Sequence, residues 1–234
     1  MKSYTRDRRA YEYFSDGNCL LANCLMGKLN TVITTCFMCN KNAEMTADHI
    51  GPISLGFIHD PLNFQACCGP CNSKKNNRMT QTDLNKLKLI EEGKVNLTSW
   101  WAKNAWEKCK NDDVNKVIKI LNQNTKKFLC VLQWLKNNKS DVLETFINES
   151  YMNHDNSYNI HTIEVSNGDI KFEYTETKSV KATKSKQINR TKEILLEVNN
   201  KTKRKIKVCL TYDEIRLLSD INKDNFKNKI SSIL

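Results

Sequence analysis

The sequence predicts an α+β protein made of three regions, and three observations indicate this. Residues 1–79 contain two Cys-x-x-Cys pairs that frame a Gly- and Pro-containing stretch. Residues 80–152 carry apolar side chains at helical spacing, whereas residues 153–234 alternate apolar and polar side chains around turn residues. We therefore expect a metal-held α+β domain, a helical region and a basic β-hairpin region, in that order.

The composition favours a folded protein with a polyanionic partner. The chain has 234 residues, of which 39% are hydrophobic, so it can bury a core. Its formal net charge is +11. Such a charge favours a nucleic acid, although charge alone does not separate DNA from RNA or from an anionic membrane surface.

The N-terminal segment and the apolar stretches predict a cytoplasmic location with no membrane partner. Residues 1–9 are charged and lack the apolar core of a signal peptide, and the apolar stretch at residues 128–135 is too short to span a bilayer. In a reducing compartment, paired Cys-x-x-Cys spacing indicates a metal site rather than disulfides.

The two Cys-x-x-Cys pairs predict a structural zinc site with Cys36, Cys39, Cys68 and Cys71 as ligands. The pairs are separated by 28 residues. Four thiolates complete a tetrahedron and leave no open position for substrate. They favour zinc over magnesium or calcium, with iron as a minor alternative and four unrelated buried cysteines as the less favoured explanation. The other cysteines show no partner pattern and are expected to be small packing residues: Cys19, Cys24, Cys67, Cys109, Cys130 and Cys209.

The stretch between and after the cysteine pairs predicts two strands and a helix. In order, the elements are a strand ending at Asp48 and His49, a loop over residues 51–61 and a strand over residues 62–66. A helix over residues 70–79 follows, with Asn72 near its start. Adjacent residues of a strand point to opposite faces, so Asp48 and His49 can take different roles at one site.

Three side chains in this segment suit the hydrolysis of a phosphodiester. His49 has the side chain whose ordinary pKa lies nearest neutrality, which suits a general base that deprotonates water. Asp48 offers the hard oxygen ligand that magnesium prefers, and Asn72 offers a second, neutral oxygen. Magnesium keeps several waters and takes further ligands from substrate phosphate, so two protein ligands suffice. His59 is the main rival for the role of base.

The same residues carry a resemblance to a known family. The chain contains, in order, Asp48-His49-Ile50, Pro52, Ser54-x-Gly56, Asn63-x-Gln65 and Cys68-x-x-Cys71-Asn72-x-x-Lys75. Over residues 33–79 this pattern resembles the HNH (ββα-metal) endonuclease superfamily. Several independent elements must match at once, which makes an accidental match an unsatisfactory explanation.

The resemblance implies a ββα-metal nuclease core that cleaves double-stranded DNA. His49 would be the general base, and Asp48 and Asn72 would hold Mg²⁺ or Mn²⁺. Asn63 would pin the loop and orient the histidine. The helix then supplies candidate phosphate contacts: Lys74, Lys75 and Arg78.

The loop sequence at residues 50–59, with Asn63-Phe64-Gln65 after it, resembles that of HNH-type type II restriction endonucleases in particular. Residues 80–234 would then supply DNA recognition, because an HNH unit is too small to read a long sequence alone. The alternatives are a phage or intron-type HNH nicking or homing endonuclease and a non-catalytic zinc-ribbon DNA-binding module. With one HNH site per chain, double-strand cleavage would need a homodimer or two sequential nicks.

The middle region, residues 80–152, predicts three helices. They are expected near Thr82, near Thr98 with Trp100, Trp101 and Trp106, and after Asn111 with Asp112 and Asp113 in the first turn. Tryptophans at helical spacing usually pack in a core, so we favour that role over stacking on bases.

The C-terminal region, residues 153–234, predicts two hairpins and a short helix. The first hairpin joins residues 158–165 to residues 169–176 through Asn167-Gly168, a strong turn signal. A second hairpin is expected over residues 194–210, and a helix is expected to start at Thr211.

Positive charge concentrates around the second predicted hairpin. Positions 178 to 207 hold eleven basic and two acidic residues, a local net charge of +9. Lys203, Arg204 and Lys205 lie near its turn and are candidate phosphate contacts. A solvated, solubilising face is the equally weighted alternative.

Overall fold

The structure, a computed structural model, describes residues 15–150, 156–178 and 210–234 as a mixed α+β protein. The strands of these ranges form one three-stranded and one two-stranded sheet. In chain order the elements are α1 (Cys19–Leu29), β1 (Ile33–Thr35), β2 (Asn42–His49), β3 (Phe64–Cys68), α2 (Gly69–Lys75), α3 (Gln81–Glu92), α4 (Lys103–Cys109), α5 (Val114–Asn137), α6 (Asp141–Ser150), β4 (Asn156–Ser166), β5 (Asp169–Lys178), α7 (Tyr212–Ser219) and α8 (Phe226–Ile233). The predicted α+β class is confirmed.

The segment that holds the candidate site forms an antiparallel hairpin followed directly by a helix. β2 pairs with β3 in the register that places His49 opposite Phe64. α2 follows β3 with Pro70 in its first turn, where the missing N–H removes no helical bond. β3 begins later than predicted because Pro61–Asn63 forms a 3-10 turn, which the Asp60 side chain caps.

Two helices are shorter than predicted, each for a local reason. α2 ends early because Asn76 has a φ of 52°, a left-handed conformation that cannot continue a helix. α4 begins at Lys103 because the residues before it pair with the loop after β2, where Thr98 forms a β-bridge with Phe57. The three tryptophans therefore do not share one helix, and only Trp106 lies in α4.

Side-chain caps start three helices close to the predicted positions. Thr80 and Asp83 form a capping box at α3, and Thr211 and Glu214 form another at α7. The Asp113 carboxylate accepts two backbone N–H groups at the start of α5, so it caps this helix instead of lying in its first turn.

The predicted first hairpin is confirmed and packs against β3 and α1. β4 and β5 join at Asn167 and Gly168, which have φ values of 49° and 84°. The Ala66 N–H donates to the Gly168 carbonyl at 2.8 Å, and the Cys24 thiol contacts the Tyr158 carbonyl at 3.5 Å. The hairpin is thus fixed to β3 and to α1.

Buried side chains form three clusters, and α5 connects two of them. One lies between α1, β2, β3 and β4, a second between the loop after β2 and α3, α4 and α5, and a third between α5, α6, α7 and α8. Trp101 and Trp106 are 3% and 0% exposed, which confirms their role as packing anchors. Trp101 stacks on Phe128 with ring centroids 4.5 Å apart.

Two further expectations concern membrane-spanning helices and the second hairpin. Among the described residues, no helix is both long and apolar enough to cross a membrane. The second hairpin, predicted over residues 194–210, lies outside the described residues except for Leu210, and so do Lys203, Arg204 and Lys205.

Candidate functional site

Four cysteine sulfurs lie together where the turn between β1 and β2 meets the junction of β3 and α2. Those of Cys36, Cys39, Cys68 and Cys71 all lie within 4.8 Å of one another. A tetrahedral zinc with sulfurs at about 2.3 Å has sulfur–sulfur edges of about 3.8 Å, and the Cys39 and Cys68 sulfurs are 3.7 Å apart. The cluster, hereafter the zinc clamp, therefore fits one closed tetrahedral metal site.

Backbone N–H groups stabilise negative charge on the Cys36 sulfur of the zinc clamp. Burial by itself would raise the pKa of the Cys36 thiol, but N–H groups of Cys68, Met38 and Cys39 stabilise the thiolate and lower its pKa to about 6. Burial raises the pKa of the Cys71 thiol, and the neighbouring sulfurs raise it further. A bound cation would remove this mutual repulsion, since metal ligation requires thiolates.

Asp48 and Lys75 form a buried ion pair between β2 and α2. The Lys75 ammonium lies 2.8 Å from the Asp48 carboxylate, and the two side chains are 5% and 3% exposed. The same ammonium donates to the His49 carbonyl at 2.6 Å. Gln65 donates to Asp48 at 2.8 Å. Burial raises the pKa of Asp48, and the charge of Lys75 and the Gln65 hydrogen bond oppose that rise.

Asn72 contacts β2 at the two residues that precede Asp48. Its amide nitrogen donates to the Thr46 hydroxyl and to the Ala47 carbonyl, both at 3.0 Å. Thr46 and Asp48 are two residues apart on a strand and so share a face. Because Asn72 and Lys75 are three residues apart on α2, both reach this face of β2.

His49 contacts different partners from Asp48, as the alternation of a strand requires. Its Nε2 lies 2.9 Å from Nδ1 of His59, and its ring meets Phe64 edge to face at a centroid distance of 4.8 Å. His49 is half-buried, whereas His59 is fully buried. His59 therefore contacts the candidate base rather than the solvent.

Asn63 closes the loop that separates the two histidines in sequence. Its amide accepts the Gly51 N–H at 2.8 Å and donates to the Gly51 carbonyl at 2.7 Å. It also donates to the Ile58 carbonyl at 2.9 Å, directly before His59. This clasp holds both ends of the loop, as expected of a structural asparagine, although it bonds to the loop backbone and not to His49.

The basic residues after Asn72 differ in exposure. Lys74 and Arg78 are exposed, and Arg78 bonds to the Lys74 and Lys75 carbonyls at the end of α2. They line an open groove of about 890 Å³ between α2, α3, the first cysteine pair and the β4–β5 turn. Its wall also holds Lys86, which pairs with Asp169 at 2.6 Å.

Sequence reasoning missed three of these contacts. It assigned no role to Gln65, took Lys75 only as a phosphate contact, and considered His59 as a rival base rather than as a partner of His49. The signal for Lys75 was present, because its spacing from Asn72 places both on one helix face. The pairing of the histidines has no local signal, since they lie ten positions apart in the sequence.

Together, the fold and the site define an α+β protein with a four-cysteine cluster that could bind a metal, and with a buried carboxylate and a half-buried histidine at the end of β2. A family model described as type II restriction endonuclease (RE_Alw26IDE) matches residues 1–228, and the chain belongs to that family. Its members are DNA endonucleases, so the expected nuclease activity, DNA substrate and restriction role are supported at the level of the family. No curated protein and no solved structure gave a match.

Proposed function

We propose that the protein is a magnesium-dependent DNA endonuclease of the HNH type, which hydrolyses phosphodiester bonds with a water that His49 activates. One arrangement carries the proposal. The β2–β3 hairpin and α2 bring the Asp48 carboxylate and the Asn72 amide to one face of β2, next to the histidine that ends the strand. This arrangement occurs in a chain of a restriction endonuclease family.

The donor chemistry of Asp48 and Asn72 fits magnesium. A carboxylate and an amide oxygen are hard ligands, and the ion would take further ligands from water and phosphate. The Lys75 ammonium lies 2.8 Å from the Asp48 carboxylate, so the ion would have to share that carboxylate with Lys75 or displace it. Bound Mg²⁺ would neutralise the charge that develops on the phosphate.

His49 performs the proton transfer in this proposal. It takes one proton from a water molecule, and the water oxygen forms a bond to phosphorus. The bond from phosphorus to one sugar oxygen breaks, and its electron pair leaves on that oxygen. Asn63 contributes by holding the loop and not by touching the reacting atoms.

The exposed cations beside the site would bind the DNA backbone. Lys74 and Arg78 line the groove next to the zinc clamp, where phosphates of either strand can reach them without a buried charge being formed. We assign DNA binding also to Lys203, Arg204 and Lys205, on the ground of local charge. Phosphate contacts of this kind position the enzyme, and base contacts elsewhere would supply specificity.

A plasmid-cleavage assay tests the proposal. A panel of unmethylated plasmid and phage DNAs is incubated with the protein in Mg²⁺, in Mn²⁺ and in EDTA. We expect nicked or linear products only with a divalent ion. Cleavage in EDTA, or no cleavage of any DNA in the panel, would contradict the proposal.

The variant His49→Ala assigns the base. We expect cleavage to fall by at least about 10²-fold, the usual contribution of a general base, with unchanged zinc content and DNA affinity. His161→Ala is the matched control, because His161 is exposed on β4, where its Nε2 lies 2.9 Å from the Thr175 hydroxyl. A wild-type rate for His49→Ala would remove His49 from the mechanism.

A further inference from the structure

Burial and backbone hydrogen bonds fix the position of His59. Its side chain is 0% exposed. Its backbone N–H donates to the Ser15 hydroxyl at 3.1 Å and to the Asp16 carbonyl at 3.2 Å. The Asn63 clasp fixes the preceding residue, Ile58, through its carbonyl. The backbone at His59 is thus tied from both sides of the loop.

The hydrogen bonds of the two histidines determine a tautomer. The side-chain amide oxygen of Asn23, Oδ1, lies 3.3 Å from Nε2 of His59 and can only accept, so this nitrogen carries the proton. In a neutral His59 ring, Nδ1 is then an acceptor, and it faces Nε2 of His49 at 2.9 Å. His49 must therefore donate from Nε2, which places the basic lone pair of His49 on Nδ1.

We infer that His59 is a positioning residue for the base, which fixes the tautomer and the ring orientation of His49. This inference rests on the proposed function, because it gives His59 a role only if His49 accepts a proton. In the proton transfer, Nδ1 of His49 receives the water proton while Nε2–H stays bonded to Nδ1 of His59. The positive ring that results keeps an acceptor at Nε2, the part that a carboxylate plays in a Ser-His-Asp triad.

The inference also explains how Asn63 reaches the base that it does not touch. Asn63 binds Gly51 and Ile58, the two ends of the loop, and His59 follows Ile58 directly. The clasp thereby sets the position of the His59 ring, and His59 sets the position of the His49 ring. His59 is buried, so it has no access to substrate and is not itself a catalytic residue.

Two substitutions at position 59 separate hydrogen bonding from packing. His59→Phe keeps an aromatic ring against Phe64 but removes the acceptor, whereas His59→Asn offers an amide oxygen that can accept from His49. We expect His59→Phe to lower the single-turnover cleavage rate by about 10- to 100-fold, as is usual when the partner that orients a functional histidine is removed. DNA affinity and zinc content should be unchanged, and His59→Asn should recover most of the rate.

The cleavage rate of the double variant His49→Ala/His59→Phe shows whether His59 acts through His49 or has only a structural role. If His59 acts through His49, the double variant should cleave no more slowly than His49→Ala alone. A further loss of rate in the double variant would overturn the inference, and so would a wild-type rate for His59→Phe. An inactive wild type, or an active His49→Ala, would instead overturn the proposed function.

Asn23 gives a second test that does not disturb the core. It is exposed on α1, so Asn23→Ala should fold normally, and Lys28→Ala on the same helix is the matched control. Loss of the Asn23 acceptor releases the His59 tautomer, and we expect a rate lowered by roughly 10-fold at unchanged melting temperature. A rate equal to that of Lys28→Ala would overturn the tautomer assignment.

Discussion

At the scale of single residues, Asp48 and Lys75 form an ion pair that is almost wholly enclosed. Enclosed charges lose hydration, which their attraction offsets only when further hydrogen bonds complete the site. Gln65 supplies one such bond to Asp48, and the His49 carbonyl supplies one to Lys75. The pair therefore joins α2 to β2 at the position that the proposed mechanism uses.

Asp48→Asn should affect both stability and activity. The Lys75 ammonium would remain buried without its carboxylate, so we expect the free energy of unfolding to fall by about 3 kcal/mol. Cleavage should be lost because the proposed ion loses its charged ligand. Urea unfolding and the plasmid assay measure the two effects.

The variant Asp48→Asn/Lys75→Met separates these two effects. With neither charge buried, we expect most of the lost stability to return, while cleavage stays absent. A double variant that cleaves DNA at the wild-type rate would show that Asp48 is not needed as a ligand.

At the scale of elements, the zinc clamp joins the turn between β1 and β2 to the junction of β3 and α2. Two of its cysteines come from each place, so the ion would hold the hairpin against the start of the helix that carries Asn72. Because such a site does not exist in the unfolded chain, metal binding adds directly to folding stability.

Zinc removal should therefore unfold this segment. We expect about one zinc per chain by elemental analysis, and a lower melting temperature for Cys39→Ser and Cys71→Ser. Cys19→Ser, outside the clamp, is the matched control and should melt like the wild type. A folded preparation that contains no metal would contradict the structural role.

The turn of the β4–β5 hairpin offers a second test at this scale. Gly168 has a φ of 84°, and an added Cβ would lie 2.6 Å from the Phe37 ring. We expect Gly168→Ala to lower stability by about 1–3 kcal/mol, because it combines backbone strain with a steric clash. Gly27→Ala is the control: apart from its chain neighbours and the backbone of α1, no atom of the described residues lies within 4 Å of its added Cβ, so its melting temperature should not fall. Equal melting temperatures for the two variants would show that the turn does not pack as described.

At the scale of the whole molecule, the family implies DNA as the substrate and the net charge suits it. The net charge is +11, and the described hairpin packs on the segment that holds the candidate site. The β4–β5 hairpin therefore contacts β3 directly and is not merely joined to it in sequence. A polyanion bound near this segment would meet the exposed Lys74 and Arg78.

The salt dependence of DNA binding tests the basic segment. Each phosphate contact releases counterions, with a log–log slope of roughly −0.9 per contact. We expect the triple variant Lys203→Ala, Arg204→Ala and Lys205→Ala to bind all DNA sequences more weakly and to flatten the slope by up to about 3. The control removes three exposed lysines of the helical region: Lys103, Lys119 and Lys126. A slope equal to that of the control would mean that the basic run only aids solubility.

The sequence by itself determined the features that depend on neighbours in the chain. Each Cys-x-x-Cys pair brings two sulfurs together locally, and Asn167-Gly168 adopts the positive φ values of a tight turn. The helices expected near Thr82 and at Thr211 begin at Gln81 and Tyr212. These signals act over a few residues, so their spacing predicts the geometry. The family membership supports the DNA endonuclease activity that the resemblance of residues 33–79 implies, at the level of the family.

Only the tertiary structure decided which partners the functional side chains have. Asp48 meets Lys75 across the hairpin–helix contact, and His49 meets His59 because the Asn63 clasp folds the loop back on itself. The start of α4 likewise depends on the bridge from Thr98 to the loop. These contacts join segments that are distant in sequence, and they form when the loop path and the packing of α2 on β2 bring the groups within bonding distance. Local periodicity carries no information about that path.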